Sequence, residues 1–144
     1  MSNPVAESLK TVLADSYALY LKTQNYHWNV TGPNFNSLHT LFEEHYSELA
    51  LAVDEIAELI RGVGEKAPGS FKAFENLTSI KAGNENAKAE IMVKELAADN
   101  THIQKTLLLA LEVAQEAGDE VVIGALTERM TVHRKTEWML KSSL

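Results

Sequence analysis

Apolar residues recur along this chain at the three- and four-residue spacing of amphipathic helices. This pattern predicts a first helix over about residues 5–28 and a second over about residues 35–62. It predicts a third helix over about residues 87–117 and a fourth over about residues 119–141. The repeat in the second helix indicates a core-facing stripe. The stripe consists of Leu38, Phe42, His45, Leu49, Val53, Ile56 and Ile60.

Glycine and proline, which punctuate helices, are few in this chain and clustered. There are 7 Gly and 3 Pro, and a Gly-Pro pair at residues 32–33 separates the first two helices. Residues 65–86 form a long connection, in which Phe71 and Phe74 behind Ser70 predict a short extra helix. No turn motif indicates a strand hairpin. Four long helices with one long connection predict an all-α fold, a ferritin-like four-helix bundle whose second and third helices run parallel.

The composition is typical of one domain with a single buried core, and we predict one domain over residues 1–144. The chain is 45% hydrophobic and has no Cys, so it offers no disulfide and no thiolate metal ligand. It begins without the features of a signal peptide and has no apolar run of membrane-spanning length. We therefore expect a cytoplasmic protein that does not enter a membrane.

Four residues of the second predicted helix are metal-ligand types at a regular spacing. His39 and Glu43 are four residues apart, and so are Asp54 and Glu58. At about 100° per residue, these four side chains lie on one face of the helix. The residue numbers of His39 and Glu58 add up to 97, and so do those of Glu43 and Asp54. An antiparallel copy of the helix across a two-fold axis would therefore bring the two pairs together.

The length of this helix prevents one chain from using both pairs in one site. Glu43 and Asp54 are 11 residues apart, or about 16 Å along the axis, whereas metal–ligand bonds are about 2 Å long. Two half-sites remain, and His27 at the end of the first helix can join His39 and Glu43. The predicted metal ligands are thus His27, His39, Glu43, Asp54 and Glu58, and a symmetric dimer would hold two identical sites.

The donor types narrow the choice of metal, but the residues alone leave the function open. Two imidazoles and three carboxylates suit iron, manganese or zinc better than calcium, which prefers oxygen ligands. An ordinary ferritin builds its site inside one bundle from Glu-x-x-His motifs, and none of the 5 His here follows a Glu by three residues. The same residues are also compatible with plain solvated side chains, with a helical interaction module, or with a nucleoid-packing or adhesion protein whose site is vestigial.

Three segments carry a resemblance to a known family. Residues 25–35, Asn-Tyr-His-Trp-Asn-Val-Thr-Gly-Pro-Asn-Phe, are followed by Leu38-His39, and Asp-Glu-Ile-Ala-Glu occupies residues 54–58. Near the end, residues 133–140 read His-Arg-Lys-Thr-Glu-Trp-Met-Leu. Together they resemble the Dps family, the mini-ferritins that protect DNA in starved bacterial cells. The resemblance extends over essentially the whole chain.

The resemblance implies a dodecamer of four-helix bundles that forms a hollow shell, with a ferroxidase site at each two-fold interface. His27, His39, Asp54 and Glu58 match the family's ligands, while Glu43 stands where many members have Asp. The family oxidises Fe(II), typically with hydrogen peroxide, and stores the ferric mineral inside, which limits oxidative damage. No catalytic residue beyond the metal ligands is implied.

Trp28 and His45 also carry expectations about their roles. The resemblance places Trp28 near the iron, where a Trp takes up stray radicals, although an interface aromatic is an equal alternative. His45 falls within the core stripe, which favours a core or interface histidine with satisfied hydrogen bonds over a metal ligand.

Binding to DNA is where this chain departs most from the family name. Members that bind DNA directly often use a tail rich in Lys and Arg, whereas only Ser-Asn-Pro at residues 2–4 precede the first helix after Met1. The formal net charge is −7, and a polyanion repels nucleic acid. We expect no tight DNA binding at ordinary salt. A DNA-binding stress protein, in which DNA protection dominates, is the alternative.

Overall fold

Five helices and no strand account for the regular structure of residues 3–144, the part of the chain that the computed structural model describes. The helices are α1 Pro4–Asn29, α2 Phe35–Gly62, α3 Phe71–Leu77, α4 Ala89–Ala117 and α5 Glu120–Lys141. The prediction of an all-α bundle with a short helix in the long connection is confirmed. Within these residues, no helix is both long and apolar enough to cross a membrane.

The helix ends follow ordinary capping chemistry. The side chains of Asn3, Ser70 and Asp119 each accept a hydrogen bond from a backbone N–H in the first turn of α1, α3 and α5. Asn34 precedes α2 but makes no side-chain cap bond. Gly118 ends α4 at φ 67°, a left-handed conformation that glycine adopts without steric cost.

The bundle is built from two helical pairs. α1 packs along α2, α4 packs along α5, and α1 also contacts α4. In the predicted stripe of α2, five residues are buried in the interior, whereas His45 and Val53 are half-buried. The five buried residues are Leu38, Phe42, Leu49, Ile56 and Ile60. Each such side chain stabilises the fold by about 1.5–3 kcal/mol through removal of apolar surface from water.

Polar side chains of α1 hold the long connection in place. The buried Asp15 carboxylate accepts hydrogen bonds from Thr78 Oγ1 at 2.7 Å, from the Ser79 backbone N–H at 2.8 Å and from Thr106 Oγ1 at 2.8 Å. Further along, the Tyr26 hydroxyl accepts from the Asn84 backbone N–H at 3.1 Å. The long connection is therefore positioned by part-buried hydrogen bonds, together with the stacking of Phe74 of α3 on Tyr17 of α1.

A directional chain of hydrogen bonds crosses the bundle interior. Arg129 forms an ion pair with Glu48 and donates from Nη2 to His133 Nε2 at 2.9 Å. Since Arg can only donate, His133 Nε2 must accept, and its Nδ1–H therefore donates to Asn100 Oδ1 at 2.9 Å. The Asn100 amide in turn donates to the Leu96 carbonyl at 2.8 Å. This series of hydrogen bonds requires His133 to be neutral.

The two interior histidines titrate well below their ordinary range. Burial, with the nearby Arg129 and His45, lowers the pKa of His133 from 6.5 to about 3. Burial lowers the pKa of His45 to about 4, against a smaller opposing effect of Glu48. Neither ring nitrogen of His45 has a hydrogen-bond partner within residues 3–144 of one chain, so its satisfaction inside the core is not found, and its role at an interface stays a prediction.

We predict that His133 makes the bundle sensitive to acid. Its folded pKa of about 3 lies below the ordinary 6.5, so the unfolded chain binds more protons across that window. Stability is therefore complete above about pH 6.5 and is lost as the pH falls toward 3, with a slope of about 1.4 kcal/mol per pH unit from this one group. Urea unfolding across this range measures the slope.

The His133→Gln variant removes this titration and leaves an amide that can still form hydrogen bonds at the same position. Arg129, Glu48 and His45 are the charged and titratable groups around it. We expect lower stability at neutral pH and a shallower acid slope. His102→Gln, which changes an exposed histidine, is the matched control. An unchanged slope in His133→Gln would contradict the prediction.

Candidate metal centre

The turn between α1 and α2 brings the end of one helix onto the start of the next. Gly32 adopts φ 114° within it, a conformation that side chains rarely permit. Val30, which caps α1, is buried and anchors the turn to the core. The reversal places His27, in the last turn of α1, against His39, in the second turn of α2.

His27 and His39 hold each other in a fixed orientation. His27 Nδ1 lies 2.7 Å from the His39 carbonyl oxygen, and His39 Nδ1 lies 2.7 Å from the His27 carbonyl oxygen. The two rings stack at a centroid distance of 3.8 Å and an interplanar angle of 14°. Since a carbonyl oxygen only accepts, both Nδ1 atoms carry the proton, and both Nε2 lone pairs are left for another ligand. This is the usual arrangement of metal-binding histidines.

Aromatic rings complete the packing around the two imidazoles. Phe35 stacks on His39 at 4.9 Å, and Tyr46 meets His27 edge-to-face at 5.1 Å. His27 is buried, whereas His39 is half-buried. The rings are therefore held from two sides, which favours a preorganised pair of nitrogen donors.

Glu43 adds an oxygen donor to the two imidazoles. Its Oε1 lies 3.9 Å from His27 Nε2, too far for a hydrogen bond, and its side chain is 58% exposed. The structure therefore brings together His27, His39 and Glu43 at one end of α2, with the carboxylate open to solvent.

Asp54 and Glu58 are not part of this group. Both side chains are exposed on α2, with Asp54 11 residues beyond Glu43, or about 16 Å along the helix. Within residues 3–144 of one chain, no three His, Asp or Glu side chains gather closely enough to hold a metal ion. A single chain thus presents two separate groups of candidate ligands rather than one complete site.

Some features of the site could not be predicted from residue spacing. The reciprocal imidazole–carbonyl bonds and the Phe35 and Tyr46 contacts depend on the packing of α1 against α2. The position of Tyr46 on the ligand-bearing face was the only signal in the sequence for its contact. Trp28 is 61% exposed and, within the described chain, contacts no aromatic ring.

Comparison with known proteins agrees with this architecture. The family model described as the ferritin-like domain matches residues 6–144. The bundle and its His and carboxylate residues therefore define a ferritin-like protein.

Individual relatives narrow the class. The chain is 36% identical over 144 residues to DNA protection during starvation protein 2 of Bacillus anthracis, covering 100% of this chain and 99% of that protein. The structure of Dps from Staphylococcus aureus matches with a TM-score of 0.94 and 40% identity, covering 97% of this chain and 94% of that one. Dps from Vibrio cholerae O1, described as a member of a broad superfamily of ferritin-like diiron-carboxylate proteins, matches with a TM-score of 0.92 and 30% identity, covering 96% and 87%. The chain belongs to the Dps family.

The hydrogen bonds of the two imidazoles predict their tautomers. In protein labelled with ¹⁵N at histidine, we expect His27 and His39 in their neutral forms to carry the proton on Nδ1, because each Nδ1 faces a carbonyl oxygen. Long-range ¹H–¹⁵N correlation spectra distinguish the two ring nitrogens. A dominant Nε2–H form at either histidine would contradict this arrangement.

Proposed function

We propose that this Dps-family protein is a ferroxidase and iron-storage protein of the cytoplasm. It oxidises Fe(II) with hydrogen peroxide at sites shared between two subunits and stores the ferric mineral in a hollow shell. The observation that carries the proposal is the pair of oriented imidazoles, His27 and His39, beside Glu43, with the remaining candidate ligands of the described chain out of reach. This activity would protect the cell from oxidative damage.

The donor set supports iron as the substrate. The His27 and His39 Nε2 atoms supply two neutral nitrogen ligands, and the carboxylates of Glu43, Asp54 and Glu58 offset the positive charge of the metal. Without thiolates, such a mixture suits iron, manganese or zinc. The diiron-carboxylate description of the Vibrio cholerae relative favours iron among these.

An antiparallel pairing of two α2 helices would complete each site. It sets His39 of one chain opposite Glu58 of the other, and Glu43 opposite Asp54. Leu51, which is 72% exposed, lies close to the middle of this pairing. An apolar side chain that exposed gains stability when a second copy covers it. We propose that such two-fold dimers assemble further into a dodecameric shell.

The proposed chemistry uses peroxide without releasing radicals. Two Fe(II) give one electron each to hydrogen peroxide, which with two protons becomes two water molecules. The imidazoles and carboxylates hold the two ions in one site, so that both electrons reach the same peroxide.

The interior of the bundle argues against an ordinary ferritin with a site inside one subunit. Such a site is built from side chains in the bundle core, and here that core contains the buried Arg129 and the His133–Asn100 hydrogen bond. The permanent charge of Arg repels a metal cation at this position. Tight DNA binding is likewise not part of the proposed activity, because the net charge is −7.

The proposed activity predicts fast ferric formation. Under anaerobic conditions, protein loaded with Fe(II) and then mixed with hydrogen peroxide should develop near-ultraviolet ferric absorbance faster than the same solution without protein. His39→Ala should remove most of this acceleration, because it deletes one oriented nitrogen donor. His102→Ala, which alters an exposed histidine away from the site, is the control. A wild-type rate equal to that of buffer would refute the ferroxidase proposal.

Shared sites predict complementation between two inactive variants. His39→Ala and Asp54→Ala change opposite halves of the site, so a hybrid dimer retains one site with both residues intact. After dissociation and equal mixing, activity should return to roughly a quarter of the wild-type value, because half of the dimers are hybrids with one intact site of two. Zero activity, with subunit exchange confirmed by mass spectrometry of differently labelled chains, would exclude the shared site.

A further inference from the structure

Three of the four tyrosines form a row of rings that begins at the candidate metal centre. Tyr46 meets His27 at a centroid distance of 5.1 Å, Tyr20 meets Tyr46 at 6.0 Å, and Tyr17 meets Tyr20 at 5.7 Å. All three contacts are edge-to-face, with interplanar angles of 64–66°. The fourth, Tyr26, is buried beneath the long connection and donates its hydroxyl hydrogen to Glu95.

Packing alone does not explain why these three residues are tyrosines. Edge-to-face contacts of this kind are equally available to phenylalanine. All three side chains are half-buried, and among the described residues the Tyr20 hydroxyl accepts only a long hydrogen bond of 3.5 Å, from Gln24. What a phenol adds to a phenylalanine ring is an O–H that can lose a proton and an electron.

The row ends at a cavity beside α3. Tyr17 lies in the wall of this cavity of about 490 Å³, together with Leu21, Phe71 and Phe74. Tyr17 stacks on Phe74 at 4.8 Å and 27°, and Phe71 is 79% exposed at the rim. An aromatic molecule of small size fits such a wall, because flat rings stack on the exposed faces of Tyr and Phe.

We propose that Tyr46, Tyr20 and Tyr17 form a redox relay, which carries an oxidising equivalent from the metal centre to this cavity, where a small phenolic donor reduces Tyr17. The proposal rests on the ferroxidase function proposed above. It adds a second activity, the peroxide-dependent oxidation of a phenol, at a site remote from the iron.

The relay operates when only one Fe(II) occupies a site. Hydrogen peroxide needs two electrons, and Fe(II) supplies one, so Tyr46 supplies the other. Fe(II), H₂O₂ and TyrOH become Fe(III), OH⁻, H₂O and a neutral tyrosyl radical, which balances atoms and charge. An electron then passes from each tyrosine ring to the oxidised ring beside it, while the phenoxyl that is reduced takes a proton from water and the phenol that is oxidised releases one. The phenolic donor finally returns TyrOH at Tyr17 and leaves as a phenoxyl radical. No free hydroxyl radical is released.

The geometry assigns this role to Tyr46 rather than to Trp28. The family resemblance places Trp28 near the iron, but its ring is 61% exposed and touches no other aromatic ring of the described chain. Tyr46 contacts His27 directly and continues into Tyr20. An oxidising equivalent on Trp28 therefore has no continuous path of rings within the described part of one chain.

Phenylalanine variants test the relay, because they keep each ring and remove only the O–H. Assembled protein with less than one Fe(II) per site is mixed with hydrogen peroxide and freeze-quenched for electron paramagnetic resonance. A parallel sample contains guaiacol, whose oxidation is followed by visible absorbance. Tyr46→Phe should lose both the tyrosyl signal and guaiacol oxidation. Tyr17→Phe should keep a tyrosyl signal on the inner rings but lose guaiacol oxidation.

Trp138→Phe is the matched control, since it removes an exposed oxidisable ring outside the row, and it should retain both signals. Ferric absorbance recorded on the same samples separates the two proposals. If the wild-type protein does not accelerate iron oxidation, the ferroxidase proposal fails and the relay fails with it. If iron oxidation is fast but no tyrosyl signal forms, or Tyr46→Phe oxidises guaiacol at the wild-type rate, the relay alone is overturned. Loss of the radical in Trp28→Phe but not in Tyr46→Phe also overturns it.

Discussion

The candidate metal centre depends on the contact between the end of α1 and the start of α2. There, each of His27 and His39 donates its Nδ1–H to the other's backbone carbonyl. These bonds satisfy two buried polar groups and stack two rings in one step. The glycine turn at residue 32 makes the contact possible, and the Nε2 atoms that face away from these bonds are the proposed metal donors. Tyr46 and the tyrosine row beyond it are ordered by the same pairing of helices.

A second constraint is the fixed rise of the α-helix. It keeps Asp54 and Glu58 at least about 16 Å from the His39 end of α2, so one straight helix cannot gather its own ligands. At the same time, the buried Arg129 guanidinium and the His133–Asn100 hydrogen bond occupy part of the bundle interior and disfavour a cation there. Both facts favour chemistry at the surface of the subunit, where a second copy can contribute. This is the physical reason for preferring a shared site over one inside the bundle.

Much of the fold could be predicted because helices are local. The three- and four-residue repeats located all four long helices within a few residues, and Ser70 before Phe71 indicated α3. The core stripe of α2 was correct at its most buried positions, Phe42, Ile56 and Ile60. His45 shows the limit of such patterns. Its position predicted a core or interface histidine with satisfied hydrogen bonds, yet whether a partner reaches its ring depends on neighbouring helices, and none from residues 3–144 of the same chain does.

The candidate metal centre likewise has features that follow from the sequence and features that depend on tertiary packing. The sequence by itself determined which donor types share a face of α2 and how far apart they lie, because residue spacing and helical rise are properties of one segment. It also carried the family resemblance, since the motifs are short and contiguous. Only the tertiary structure decided that His27 stacks on His39, that both Nδ1 atoms are engaged, and that three tyrosines from two helices form a continuous row. These features join residues of different helices, and contacts of that kind arise from packing rather than from the periodicity of either helix.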